Sequence, residues 1–265
     1  MNYKEYFIAC KDSFEGTKVS LESFYEKPFV QVPVDTFSPK YFENINYISD
    51  EVKNFFDSYE SDEIMLNYPS FLDFEDELNI IADELCDWLS DNVYGCHIYV
   101  DKVYIYRTKK MKFRKSSYKW HYDNNPQEIR KNIIYLTDVG ELNSPFEYLS
   151  KPNGEGLLME STRTGPENWE DAPNGSRIDK EVKKLIKKEG HYSKKFVSEK
   201  GSIGSFINDI AHRGNPILEG YRDVVNVRVK PTLEKPQKYI DKRWTGDTSS
   251  SGVVNPDPLI SWNTN

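Results

Sequence analysis

The sequence predicts a mainly β fold with helical additions: a jelly roll or barrel with N-terminal helices packed on one of its sheets. Three observations carry this. Near residue 95 the chain changes texture, from helical periodicity to short runs of Ile, Val, Tyr and Phe. Gly, Asn and Pro separate these runs, in the manner of turns rather than of alternating βαβ units. The length, 265 residues, suits one such domain with additions.

Residues 1–95 read as mainly helical and loop-like. Phe71 to Leu89 is the clearest helix, because Leu72, Leu78, Ile81, Leu85 and Leu89 recur at threes and fours. Asn92 to Gly95 ends it. His97–Thr108, Asn132–Val139, Ser202–Ile210 and Tyr221–Lys230 read as strands. A long insert, Lys151 to Glu199, holds most of the irregular sequence, and a loop of that length is usually functional or mobile. Within it, Val182, Leu185 and Ile186 fall at helical spacing, so the lysines of Lys180–Lys188 form the wet face of an amphipathic helix. The tail, Asp247 to Asn265, is rich in Ser, Asn, Pro and Asp and reads as an extended surface segment. The whole chain, 1–265, is thus read as one domain. Its parts are a helical portion (1–95), a β core (96–230) interrupted by the insert 151–199, and a C-terminal extension (231–265).

Composition narrows the function classes. Charged residues make up 29% and both signs are mixed, as on a globular surface rather than in a disordered chain. Aromatic residues make up 14%, so Tyr, Phe and Trp must supply much of the core. The net charge of -8 argues against nucleic acid as a partner. Two stretches are locally basic, Arg107–Lys115 and Lys180–Lys188. Cys10, Cys86 and Cys96 are odd in number and widely spaced, which fits neither a disulfide framework nor a zinc ribbon. The apolar run at the start is too short for a signal peptide, and no run is long enough to cross a bilayer. A reducing, cytoplasmic location and no membrane partner are therefore expected. Oligomeric state is not encoded in any motif we recognise.

Four histidines occur: His97, His121, His191 and His212. His121 and Asp123 stand two apart just before a strand, so in extended backbone both side chains point the same way. His212 closes the strand Ser202–Ile210. Two His and one carboxylate leave three positions open on an octahedral metal, the pattern of non-haem iron oxygenases, whereas a structural zinc site is closed by four ligands. The plainer reading is a pair of hydrogen-bonded core histidines. His97 and His191 lack any partner pattern and read as structural or surface residues. After His212 the chain turns at Asn215-Pro216 and Gly220 and returns as a strand. On that strand Arg222, Val224, Asn226 and Arg228 share one face, while Asp223, Val225, Val227 and Val229 share the other. The polar face makes sense if it lines a cavity, and a guanidinium there can clamp a carboxylate with two parallel hydrogen bonds.

Two segments carry a family resemblance. KWHYDNNPQEIRKNIIYLTDVGELNSPFEYL, residues 119–149, resembles the block of the phytanoyl-CoA dioxygenase family in which Trp-His-x-Asp precedes a strand close to YLTDV and then NGPFEY. GSIGSFINDIAHRGNPILEGYR, residues 201–222, resembles that family's second block, where HRG-P is followed by Gly-x-Arg. Together the matching regions span roughly residues 100–150 and 196–230, about a third of the chain. The resemblance implies a double-stranded β-helix, cupin-like core and an Fe(II)- and 2-oxoglutarate-dependent dioxygenase. It implies His121, Asp123 and His212 as iron ligands. It implies Arg222 on the distal carboxylate of 2-oxoglutarate, with Arg228 the rival. Tyr104, Tyr106 and Arg107 stand where the family places co-substrate and substrate contacts.

The implied reaction consumes O2, releases succinate and CO2, and hydroxylates an unactivated C–H of a small molecule. A carboxylate at Asp123 fills the place a halide would need, so hydroxylation is favoured over halogenation. Two departures stand out: Ser144 where the family usually has Gly, and Lys151-Pro152-Asn153 in place of Pro-Gly-Ser-His. Trp120 and Tyr122 read as packing around the site. Trp120, Arg107 and, in the insert, Arg163 and Trp169 are candidate substrate contacts, suggesting a small polar or anionic substrate. Three alternatives are weighed: a jelly-roll ligand-binding protein without turnover, a zinc hydrolase using the same triad, and an oxygenase acting on nucleic acid.

Overall fold

A computed structural model describes residues 2–59, 65–110, 116–164 and 177–240. Its strands form two sheets. The larger has the order β1-β7-β4-β9-β3-β2 and the smaller β6-β5-β8. The strands are β1 (Phe29–Val32), β2 (Met65–Asn67), β3 (His97–Thr108), β4 (Arg130–Tyr135), β5 (Phe146–Ser150), β6 (Tyr192–Phe196), β7 (Ile203–Ile207), β8 (His212–Gly214) and β9 (Arg222–Thr232). Every pairing among these strands is antiparallel. The mainly β, helix-decorated architecture expected from the sequence is present.

Alternation along each strand sorts the large sheet into two faces. On the outer face Val103, Ile105, Ile134, Ile203, Val225, Val227 and Val229 join one apolar cluster with the N-terminal helices. Those helices are α1 (Tyr3–Ser13), α2 (Leu21–Glu26), α3 (Pro39–Ser58) and α4 (Glu75–Leu89). They supply Phe7, Phe24, Ile48, Val52, Ile81 and Leu85 among others. Each fully buried side chain of this size contributes about 1.5–3 kcal/mol, so the strand-to-helix seam dominates the stability of the sheet. On the inner face Ile133, Tyr135, Phe206 and Val224 pack with Phe146 and Tyr148 of β5. Phe146 and Phe206 bring the two sheets into contact, with ring centroids 4.4 Å apart.

The expected helix Phe71–Leu89 divides into a 3-10 turn over Phe71–Phe74 and α4 proper. A π turn, Ser90–Tyr94, follows and is closed by Gly95 at φ 64°. A Cβ at Gly95 would lie 2.8 Å from the backbone nitrogen of Val19, so the left-handed turn and the close approach both require glycine.

The strand His97–Thr108 has the expected bounds, whereas β4 starts and ends earlier than expected, β7 is shorter and β9 runs on to Thr232. Five short strands escaped the sequence reading. Of these, β1 and β2 are the edges of the large sheet, where short strands blunt exposed hydrogen-bonding groups. The insert is less irregular than expected. It holds α5 (Asp179–Glu189), where of the expected stripe Val182 is buried, Leu185 half-buried and Ile186 exposed, and β6, which pairs with β5 although only its Phe196 is buried. The tail segment Asp247–Asn265 lies outside the described residues, as do Trp169 and residues 111–115 of the first basic stretch.

Arg107, expected at the substrate, is held in an ion-pair network. As a residue of β3 it faces away from the side that Tyr104 and Tyr106 share. Its Nε and Nη2 donate to the two carboxylate oxygens of Asp223, each at 2.7 Å, and Nη1 pairs with Asp57. Its guanidinium also stacks on Tyr221, 3.8 Å from the ring centroid. Arg107 therefore clamps β3 to β9 and lies outside the cavity lining described below. Removing one partner of a buried pair leaves the other charge uncompensated. Arg107→Ala is expected to cost about 3–5 kcal/mol of folding stability, read by urea unfolding at pH 7. A cost under about 1 kcal/mol would show that Asp223 does not depend on this partner.

Candidate metal centre

The backbone of His121 pairs with that of His212 in both directions. His121 N–H donates to the His212 carbonyl at 2.9 Å, and His212 N–H to the His121 carbonyl at 2.8 Å. This bridge sets the two imidazoles side by side, with ring centroids 4.2 Å apart. Two residues on, Asp123 points the same way, and its own N–H is tied to the Asn208 carbonyl at 3.1 Å.

Each imidazole is oriented by its own backbone. Nδ1 of His121 lies 2.8 Å from the Lys119 carbonyl, and Nδ1 of His212 lies 2.8 Å from the Ile210 carbonyl. A carbonyl only accepts, so the proton sits on Nδ1 and Nε2 keeps its lone pair. That is the tautomer a metal needs. The Nε2 of His121 is 3.8 Å from Oδ1 of Asp123. One donor atom from each of His121, Asp123 and His212 falls within 4.8 Å of the others. With ligand bonds of about 2.1 Å, one ion draws these donors together by modest side-chain rotation. The donor set, two neutral imidazoles and one carboxylate converging from one side, fits a divalent first-row ion with open positions.

The second carboxylate oxygen of Asp123 is occupied. Lys131 Nζ holds Oδ2 at 2.6 Å. Asp123 is thereby left one oxygen, Oδ1, for an ion. Burial opposes its ionisation, yet Lys131, His212 and His121 outweigh that and hold the carboxyl well below the usual carboxylate range. Burial lowers both histidines; for His212, with His121 beside it, the value falls to about 3. Both ligand imidazoles are thus neutral at neutral pH.

The triad opens into a cavity of about 890 Å³, within the usual range of about 300–1,000 Å³ for small-molecule sites. Its floor is the inner face of the large sheet: Tyr104 and Tyr106 of β3, Lys131 and Ile133 of β4, and Arg222 and Asn226 of β9. Phe146 and Phe206 wall the side near His212, with centroids 5.4 and 5.2 Å from its ring. Met65, Asn67 and Ser117, all exposed, belong to the lining as well.

Arg222 is 4% exposed and lies in the lining. Its Nη1 donates to the Ser144 carbonyl, while its Nε has no hydrogen-bond partner among the described residues. Ser144 adopts φ 63°, a conformation that favours glycine. Arg228, the rival for a carboxylate, is spent on Asp101, with Nε and Nη2 at 2.8 and 2.5 Å.

Other expected site residues fall elsewhere. Trp120 is buried outside the cavity lining, and the Arg213 guanidinium covers its ring at 4.3 Å. Arg213 in turn chelates Glu147, at 2.7 and 3.0 Å. Trp120 therefore braces the strand that carries His212. Arg163 is half-buried and absent from the lining. Sequence reasoning missed Lys131, Asn67, Tyr118, Phe146 and Phe206. For Lys131 a signal existed, because it alternates in phase with Ile133 on the strand that follows His121 and Asp123.

Neither a family model nor a curated protein sequence matches the chain. Solved structures do. The epimerase SnoN in complex with Fe3+, alpha ketoglutarate and nogalamycin RO aligns with a TM-score of 0.53 at 15% identity, over 89% of this chain and 94% of that one. AviO1 from Streptomyces viridochromogenes Tue57 aligns with a TM-score of 0.51 at 14% identity, over 81% and 96%. EctD from S. alaskensis with bound Fe aligns with a TM-score of 0.50 at 13% identity, over 84% of each. At these identities the likeness is one of fold.

Two outcomes follow from the geometry. Losing an outer partner of a metal ligand typically costs 10–100-fold in affinity. Lys131→Met is therefore expected to weaken Co(II) binding by about 10–100-fold, and Lys131→Arg to retain most of it, by calorimetric titration. Equal affinity in Lys131→Met and the parent would mean that Asp123 is oriented by other groups. The second concerns acid. In the unfolded chain a histidine titrates near 6.5, against about 3 for folded His212. Between these values the unfolded chain binds more protons, so metal-free stability falls as pH drops through 6.5. Urea unfolding at pH 7 and pH 5 should differ by at least about 1–2 kcal/mol, and a flat profile would contradict the burial of His212.

Proposed function

We propose that the protein is an Fe(II)- and 2-oxoglutarate-dependent dioxygenase with a double-stranded β-helix core, of the phytanoyl-CoA dioxygenase type, acting on a small molecule. The observation that carries this reading is the convergence of His121, Asp123 and His212 on one side of a cavity that also holds Arg222. Three protein ligands leave room on an octahedral ion for a chelating co-substrate and O2. A structural site would be closed by a fourth protein ligand.

Iron with 2-oxoglutarate supplies the oxidising power, O2 being consumed as 2-oxoglutarate becomes succinate and CO2 and a substrate C–H is hydroxylated. The rest is the work of the chain. His121 and His212 offer Nε2 because carbonyls hold their Nδ1 protons. Asp123 offers Oδ1 because Lys131 holds Oδ2. Arg222 receives the distal carboxylate: its Nη1 is fixed on Ser144 and its buried Nε awaits an acceptor. A buried donor without a partner calls for a ligand or a water, and a carboxylate satisfies a guanidinium in two places. Tyr104 and Tyr106 lie beside these groups in the lining and contact the co-substrate. The aromatic walls limit water around the reacting centre. Structures that share this fold are described as holding iron or alpha ketoglutarate, which supports the same reading. Asp123 as a carboxylate ligand supports hydroxylation rather than halogenation.

The test is product formation. Succinate should appear only with Fe(II), 2-oxoglutarate and O2 together. Arg222→Ala removes a charge-assisted pair of about 1.5–3 kcal/mol, so KM for 2-oxoglutarate should rise by roughly 10–150-fold. Hydrolytic activity with zinc and no 2-oxoglutarate would instead favour a metallohydrolase on the same triad.

A further inference from the structure

The cavity is larger than a triad and one small dicarboxylate require, and its remaining lining is unusual in charge. Among the described residues, its cations are both engaged: Lys131 by Asp123 at 2.6 Å, and Arg222 by the role proposed above. Arg107, Arg163 and Arg228, which would have favoured an anionic substrate, are not in the lining. What remains is aromatic, aliphatic or uncharged, including Tyr118, Phe146, Phe206 and Ile133. The exposed rim residues Met65, Asn67 and Ser117 are uncharged too.

Besides Arg222 Nε, a second polar atom in this lining is orphaned. Asn226 is 7% exposed, and its Oδ1 has no hydrogen-bond partner among the described residues. It sits on β9 between Tyr104 of β3 and Ile133 of β4, in the middle of the cavity floor. An unmet buried acceptor costs about 1–3 kcal/mol, so it selects a ligand that donates to it.

We propose that this part of the cavity takes an uncharged molecule with an apolar face that donates a hydrogen bond, from a hydroxyl or N–H, to Asn226. Asn226 is then a specificity-determining residue. This deepens the oxygenase reading and rests on it for the assignment of Arg222. A carboxylate entering the same space has no proton to donate to the Asn226 oxygen and meets no free cation among the described lining residues, so it is disfavoured.

The experiment uses the full chain loaded with zinc in place of iron and with 2-oxoglutarate, observed by saturation-transfer NMR. The probes are benzyl alcohol against benzoate, and cyclohexylmethanol against cyclohexanecarboxylate. The 2-oxoglutarate signal reports the oxygenase reading, and the probe signals report this inference. Both alcohols should bind at least about fivefold better than their carboxylates, as expected for one buried hydrogen bond of about 1 kcal/mol. Asn226→Leu should remove that preference with the 2-oxoglutarate signal intact, which also shows that the variant folds. Asn226→Asp keeps an acceptor and should retain alcohol binding. Carboxylates binding as well as alcohols, no alcohol binding, or loss of 2-oxoglutarate rather than alcohol in Asn226→Leu would each overturn the proposal. Loss of 2-oxoglutarate binding in the parent, with alcohols still bound, would count against the oxygenase reading alone.

Discussion

The paired backbone hydrogen bonds between His121 and His212 are the constraint on which the site depends. They bring together two segments far apart in sequence and fix the distance between their imidazoles. Everything else at the centre is arranged around that bridge. Carbonyls of Lys119 and Ile210 fix the tautomers. Asp123 follows two residues after His121, on the same side, because the segment is extended. The strand carrying His212 is held in turn by β5 and by the Trp120–Arg213–Glu147 stack. A donor set built this way is placed by backbone geometry, so an ion held there would not have to organise it from a mobile state.

Around the cavity, buried cations are sorted by buried acids. Asp223 takes Arg107, Glu147 takes Arg213, and Asp123 takes Lys131. Asp101 takes both Arg228 and Lys230; burial alone would raise its pKa, but the two cations hold it at about 2. Removing either partner of such a pair is costly, because the other charge is left in a poorly solvated place. The consequence for function is selective. Among the described residues Arg222 is the one arginine of the cavity lining, and its acceptor is a neutral carbonyl rather than a carboxylate. That leaves its positive charge without a carboxylate partner, and among the described residues the rest of the lining has no unengaged cation.

Much of this was legible in the sequence, for identifiable reasons. The alternation along Arg222–Val229 put charge on one face and valine on the other, and the two faces of β9 bear this out. The spacing of His121 and Asp123 was readable because extended backbone repeats every second residue. The pairing with His212 was not readable from spacing; it came from the flanking blocks. The pairing of Arg107 with Asp223 was not legible because the two are remote in sequence, and a cation at the end of a strand looks the same whether paired or free. The short strands β1, β2, β6 and β8 were missed because each buries too few side chains to leave a periodic trace. The apolar stripe Val182, Leu185 and Ile186 located α5 inside an otherwise irregular insert, since a helix leaves that trace in a few residues.

The central claim is that this triad and Arg222 hold iron and 2-oxoglutarate together. The direct measurement is an anaerobic titration of the metal-free protein with Fe(II) and 2-oxoglutarate, following the weak visible charge-transfer band of the chelate. The account predicts a saturable band that is abolished in His212→Ala and weakened in Arg222→Ala. An absence of both band and bound iron in the parent protein would contradict it and leave a ligand-binding protein on this fold.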